Sequence, residues 1–112
     1  MENEYCLEDN GLSADNISTL QDEKAIKLAE FFKVFSDSTR LKILALLFQK
    51  RLCVHEIALL TNMSQSSISH QLKILRHFNL VKYEKEGKHI FYQLADNHVE
   101  MIFKNGINHL DE

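Results

Sequence analysis

Apolar residues recur along this chain first at helical spacing, then with period two, then at helical spacing again, and the changes of period divide it into elements. From about Ile17 to Phe35 the apolar positions Leu20, Ile26, Leu28, Ala29, Phe31, Phe32, Val34 and Phe35 follow mixed helical spacings. A stripe that wide predicts a helix that is well buried or shared with a partner. Ser36-Asp37-Ser38 then offers N-cap side chains for a second helix, Thr39 to about Phe48, with Leu41, Ile43, Leu44, Leu46 and Leu47 inside and the polar Gln49-Lys50-Arg51 at its end. Cys53 to Leu60 is a short helical stretch, and Ser64 to Phe78 a longer one with Ile68, Leu72 and Leu75 at i, i+4 and i+7. Between them Asn62 tolerates the left-handed conformation of a tight turn, and Ser64 can cap the second helix. After Asn79 the period becomes two, with Leu80, Lys82 and Glu84 against Val81 and Tyr83, then Ile90, Tyr92 and Leu94 against Phe91 and Gln93. This predicts a β-hairpin closed near Gly87. The helical pattern resumes behind Asp96, a cap residue, with Val99, Ile102, Phe103, Ile107 and Leu110 along it. Gly106 costs that helix about 1 kcal/mol relative to alanine, which points to close packing against a partner.

The expected fold is mainly α with a β-hairpin: helix, helix, helix-turn-helix, hairpin, helix. At 112 residues the chain fits one domain. Residues 1–16, with Gly11 and several Asn and Asp but little periodicity, read as a flexible N-terminal arm, and residues 17–112 as the domain. No apolar run approaches a bilayer span, and the start Met-Glu-Asn-Glu-Tyr-Cys is acidic where a signal peptide is basic then apolar. The expectation is a cytoplasmic protein with no membrane partner. Cys6 and Cys53 make no disulfide framework and read as thiols or ligands.

Net charge is −3, yet its sign is unevenly distributed. Every charged residue before Lys24 is acidic, whereas Arg40 to Lys88 holds nine Lys and Arg against Glu56, Glu84 and Glu86. The basic middle coincides with the helix-turn-helix pattern, and phosphate contacts become plausible there. Ser64, Gln65, Ser66, Ser67, Ser69, His70, Gln71 and Lys73 carry the short hydroxyls, amides, imidazole and amine that base edges and phosphates require in a major groove. Lys85 and Lys88, at the charged hairpin tip, suit a flanking backbone. The same residues also fit an ordinary solvated helix face.

The last segment carries a sharper chemical signal, Asp96-x-His98 and then His109-x-x-Glu112. On a helix, eleven residues make about three turns and about 16 Å, so both pairs face the same way. Zn–N and Zn–O bonds are only about 2.0–2.2 Å long, so one ion cannot reach both ends. A second, antiparallel copy across a two-fold axis would bring Asp96 and His98 of one chain beside His109 and Glu112 of the other, giving two intersubunit sites per homodimer. Two imidazoles and two carboxylates suit tetrahedral Zn(II) better than the thiolate-loving Cd(II), Pb(II) or Cu(I).

The order of elements resembles a winged helix-turn-helix, and four stretches resemble the ArsR/SmtB family of metal-responsive repressors: Phe35-Ser-Asp-Ser-Thr-Arg-Leu-Lys-Ile-Leu, Leu52-Cys-Val-His-Glu-Ile-Ala, Met63-Ser-Gln-Ser-Ser-Ile-Ser-His-Gln-Leu and Gly87-Lys-His-Ile-Phe-Tyr-Gln-Leu. The resemblance implies a dimer formed through the first and last helices that binds double-stranded operator DNA without metal and leaves it when Zn(II) binds as the regulatory ligand. The pattern of Asp96, His98, His109 and Glu112 looks like that of the family's zinc sensors of the SmtB type. Other members bind metal through an N-terminal arm and the start of the third helix, where this chain has Cys6, Cys53, His55 and Glu56, an incomplete accessory set. A metal-independent or thiol-redox winged-helix regulator, responding through Cys6 and Cys53, is the alternative. No Gly-rich phosphate loop or nucleophile elbow is present, and four protein ligands would fill the shell that a catalytic zinc keeps open, so an enzyme is not expected.

Overall fold

The computed structural model describes residues 17–112, and within them Phe31–Glu112 carries the elements of a winged helix-turn-helix. Helix α1 spans Asp22–Val34, α2 Ser38–Gln49, α3 Val54–Thr61 and α4 Gln65–His77; strands β1 (Val81–Glu86) and β2 (His89–Leu94) follow, then α5, Asn97–Leu110. The expected N-terminal arm, including Cys6, lies outside the described residues. Contacts divide the chain between Glu30 and Phe31, within α1, and the body is Phe31–Glu112.

Polar residues, more than apolar periodicity, set where the helices begin. Helix α1 starts at Asp22 rather than near Ile17, with Asp22 and Glu23 in its first turn and Lys33 in its last, as the helix dipole favours. It closes where Ser36 Oγ donates to the Lys33 carbonyl at 2.6 Å. Asp37 caps α2 by accepting the Arg40 amide at 3.0 Å, and Ser64 caps α4 by accepting the Ser67 amide at 3.1 Å. At the turn between α3 and α4, Asn62 is left-handed (φ 58°, ψ 41°), as its side chain and position predict.

A second left-handed asparagine, Asn79 (φ 59°), ends α4. There the Leu80 amide reaches back to the Leu75 carbonyl at 2.9 Å, the six-to-one bond of a Schellman closure. This closure turns the chain directly into β1. The hairpin pairs antiparallel from Val81↔Leu94 to Glu86↔His89, leaving Gly87-Lys88 as a two-residue turn. Gly87 takes φ +63° while Lys88 stays outside the positive-φ region, the φ pattern of a type II′ turn. Leu52 adds a single-residue bridge to Tyr92, with N–H···O distances of 3.0 and 2.7 Å. One paired residue carries no period, so the hydropathy pattern gives no sign of it.

The core is built from the inner stripes. Ile43, Leu44 and Leu47 of α2, Ile57 of α3, and Ile68, Leu72 and Leu75 of α4 meet Leu52, Leu80, Val81, Leu94 and Val99. Truncating one such leucine to alanine costs about 2–5 kcal/mol. No polar side chain of the described residues is buried, so the polar groups named below all lie at or near the surface.

Candidate metal centre and nucleic-acid interface

Helix α4 turns Ile68, Leu72 and Leu75 into the core, and at 100° per residue Ser66, Ser69, His70 and Lys73 point away from it. All four are exposed, as are Ser64 and Gln65, while Ser67 is half-buried. Gln71 sits differently from the rest of the expected reading set. It is half-buried, and Arg40 Nη1 of α2 donates to its Oε1 at 3.2 Å while Arg40 Nε donates to the Val34 carbonyl at 2.8 Å. Gln71 therefore ties α4 to α2 through its carbonyl oxygen, and its amide nitrogen remains free for another acceptor. At the other end of α4, Gln65 Nε2 donates to Nδ1 of His55 on α3 at 3.0 Å.

The wing is braced by two arginines. The Arg76 guanidinium of α4 lies over the Tyr83 ring at 4.2 Å from its centroid, and Tyr83 packs on Tyr92 across the hairpin at 5.8 Å. Arg51 lies over Phe91 at 4.4 Å and pairs with Glu86 at the tip. That ion pair offsets the tip's acidity and leaves Lys85 and Lys88 exposed beside it. Along the sequence Arg40, Arg51 and Arg76 count only toward the basic middle, because their partners are brought to them only by the fold.

Asp96 precedes α5 in extended conformation (φ −162°) and caps it, its Oδ1 accepting the Val99 amide at 3.1 Å. The same oxygen lies 3.7 Å from His98 Nδ1. The Val99 amide first, and His98 second, hold the Asp96 carboxyl below the ordinary carboxylate range. His109 stands in the last turn of α5, and Glu112 follows one turn later with its amide 3.4 Å from the His109 carbonyl. His98 and His109 project from the same side of the helix, about 20° apart after eleven residues. Among the described residues no three His, Cys, Asp or Glu side chains of one chain converge to hold an ion.

In the accessory set, Cys53 is the half-buried N-cap of α3, and Glu56 Oε1 accepts its backbone N–H at 3.0 Å. That bond, with the Cys53 thiol as lesser donor, keeps the Glu56 carboxyl below its ordinary value. His55 is engaged by Gln65. Cys53, His55 and Glu56 thus each have a local structural partner or place at the α3 N-terminus; Cys6 lies outside the described residues.

Beside the metal candidates the body Phe31–Glu112 carries an open apolar groove of about 720 Å³, between Phe32, Phe35 and α2 on one side and α5 on the other. Phe32, Phe35, Ala45, Ile102, Phe103 and Ile107 line it, and His109 stands at its edge. Phe32, Ile107 and Leu110 are 52%, 45% and 80% exposed, a concentration of apolar surface that marks an interaction face.

Residues 37–83 match the profile of the bacterial regulatory protein, arsR family. A transcriptional repressor SmtB homolog from Synechocystis is 41% identical over 90 residues, which cover 80% of this chain and 68% of that protein. The chain belongs to the ArsR/SmtB family of metal-responsive transcriptional repressors. A cadmium resistance transcriptional regulatory protein CadC homolog from Staphylococcus aureus is 35% identical over 94 residues, 83% of this chain and 78% of that one. A homodimeric winged helix-turn-helix DNA-binding domain from Mycobacterium bovis superposes with a TM-score of 0.75 at 31% identity, covering 86% of this chain and 92% of that one. The ArsR/SmtB chain is thus a transcriptional regulator and not an enzyme, and among its described residues no helix is long and apolar enough to cross a membrane.

Proposed function

We propose that the protein is a zinc-responsive repressor, a homodimer that holds operator DNA in its metal-free form and releases it when Zn(II) occupies two intersubunit sites made by Asp96 and His98 of one protomer with His109 and Glu112 of the other. The observation that carries this reading is the placement of all four groups at the two ends of α5, with Asp96 and His98 already 3.7 Å apart. The donors suit the ion. Asp96 is exposed and is kept ionised, as a ligand must be. Bound there, the ion would supply bonds across the two-fold axis, worth far more than surface contacts. Nitrogen and oxygen donors favour zinc over the cadmium named for the staphylococcal relative.

A second copy of the chain is the occupant that the apolar groove calls for. The groove is continuous with the α5 face that carries His109, and the Mycobacterium bovis neighbour is a homodimer. In such a dimer each α4 enters a major groove with Ser64, Gln65, Ser66, Ser67, Ser69, His70 and Lys73 toward the bases and phosphates, and Lys85 and Lys88 lie on flanking backbone. Gln71 contributes mainly by holding α4. Half-sites lie about 34–36 Å apart, so pinning the two α5 helices fixes the spacing of the reading heads and disfavours any operator that needs another spacing. A coupling of 1–3 kcal/mol already changes operator affinity by about 5-fold to 150-fold.

Zinc titrated into the complex of the protein with a duplex selected from a random pool tests this directly. Release by about one ion per protomer is expected for the wild type and not for His98→Ala. Equal release by both, or none by the wild type, refutes the sensor. X-ray absorption should count only nitrogen and oxygen around the ion; sulfur would move the site to Cys53.

A further inference from the structure

The contact between His55 and Gln65 joins the two helices of the helix-turn-helix at the end of α4 that would enter the groove first. Gln65 is the first residue of α4 and is exposed, as is His55 in the first turn of α3. The hydrogen bond runs from Gln65 Nε2 to His55 Nδ1 at 3.0 Å. An amide nitrogen can only donate, so with Nε2 placed on Nδ1 the imidazole accepts in its Nε2–H tautomer. One N–H of Gln65 is spent on His55, while Oε1 and the second N–H remain for a ligand.

Base edges discriminate between those ends. An amide that offers one acceptor and one donor matches adenine, whose major-groove edge has the N6 amine as donor and N7 as acceptor. Guanine offers two acceptors, O6 and N7, and would set O6 against Oε1. An untethered glutamine could rotate its amide and lose this preference, and its free rotamers would raise the entropy cost of binding. We infer that His55 is a positioning residue that locks the Gln65 amide and thereby makes each reading head select an A·T pair at one operator position. The inference rests on the DNA-reading proposal, and it gives His55 a part in that reading that none of its possible metal-binding roles supplies.

Selection from a randomised duplex pool with metal-free wild type, His55→Ala, His55→Gln and Gln65→Ala tests it. The wild type should enrich adenine over guanine at one position per half-site by about 5-fold to 150-fold, the range for one bidentate base contact. Gln65→Ala and His55→Ala should lose that preference while keeping the rest of the recovered sequence, and His55→Gln, whose carbonyl can also accept from Gln65, should restore part of it. A base profile for His55→Ala identical to the wild type's overturns the inference, as does a preference for guanine at the Gln65-dependent position. A wild type that recovers no common sequence overturns the DNA-reading proposal itself, and this inference with it.

Discussion

Replacing Arg40 with methionine keeps the aliphatic stem and removes the guanidinium, and so tests whether α4 is held in place by a strut from α2. Two hydrogen bonds are lost, Nε to the Val34 carbonyl at 2.8 Å and Nη1 to Gln71 Oε1 at 3.2 Å. A hydrogen bond to a charged group contributes about 1.5–3 kcal/mol when well formed. Both here are part-buried and the second is long, so water recovers much of the loss, and the pair together is worth about 1.5–3 kcal/mol rather than twice that. For a domain of this size each kcal/mol lowers Tm by about 4–8 °C, so Arg40→Met should melt about 6–24 °C below the wild type. Far-UV circular dichroism at fixed protomer concentration measures it, since dimerisation makes Tm concentration-dependent. A double-mutant cycle with Gln71→Ala should return a positive coupling of about 0.5 kcal/mol or more. A destabilisation under about 0.5 kcal/mol, the size of an ordinary surface change, would refute the strut. So would zero coupling, because Gln71 would then be free to serve as a reader like its neighbours.

Three further outcomes are expected. At the two left-handed asparagines, Asn62→Ala and Asn79→Ala should each lose about 1 kcal/mol while the glycine variants stay within about 0.5 kcal/mol of the wild type, measured by urea unfolding; equal loss with glycine would point to a side-chain role instead. The capping carboxyls of Glu56 and Asp96 have folded pKa values below their unfolded ones. They therefore contribute stability that is complete above the ordinary carboxylate value of about 4 and is lost as pH falls through the lower folded values, so the metal-free protein should weaken below about pH 5 and Glu56→Gln should show a shallower acid slope. An identical slope in the variant would remove Glu56 from that account. Lys85→Gln and Lys88→Gln should each reduce the slope of log affinity against log salt by about 0.9 if the residue neutralises one phosphate, and an unchanged slope would take that lysine off the backbone.

Local chemistry made much of this fold readable in advance. Asp37, Ser64 and Asp96 are caps because a short acceptor beside a helical run satisfies an otherwise unpaired amide, and Asn62 bends left because its side chain tolerates that conformation. The hairpin followed from period two and from glycine at the turn. Helix α1 begins about five residues later than its apolar stripe, which runs past the acidic pair that starts the helix. Leu52 as a bridge partner of Tyr92 and Asn79 as a second left-handed cap carry no repeating signal, and so went unseen.

For the candidate sites the division is sharper. Residue type and spacing along one helix were enough to put His98 and His109 on one side of it, with Asp96 and Glu112 just beyond its two ends, and to keep one ion from reaching both pairs, because helix geometry is a local property. Only the tertiary structure decided that Gln71 is turned to Arg40, that Gln65 is held by His55, and that Arg51 and Arg76 brace the wing. Those partners lie on different elements, and neither the period nor the chemistry of one element carries information about which side chain of another will face it. Packing supplies that, once the inner stripes of α2, α3 and α4 have closed over a shared core.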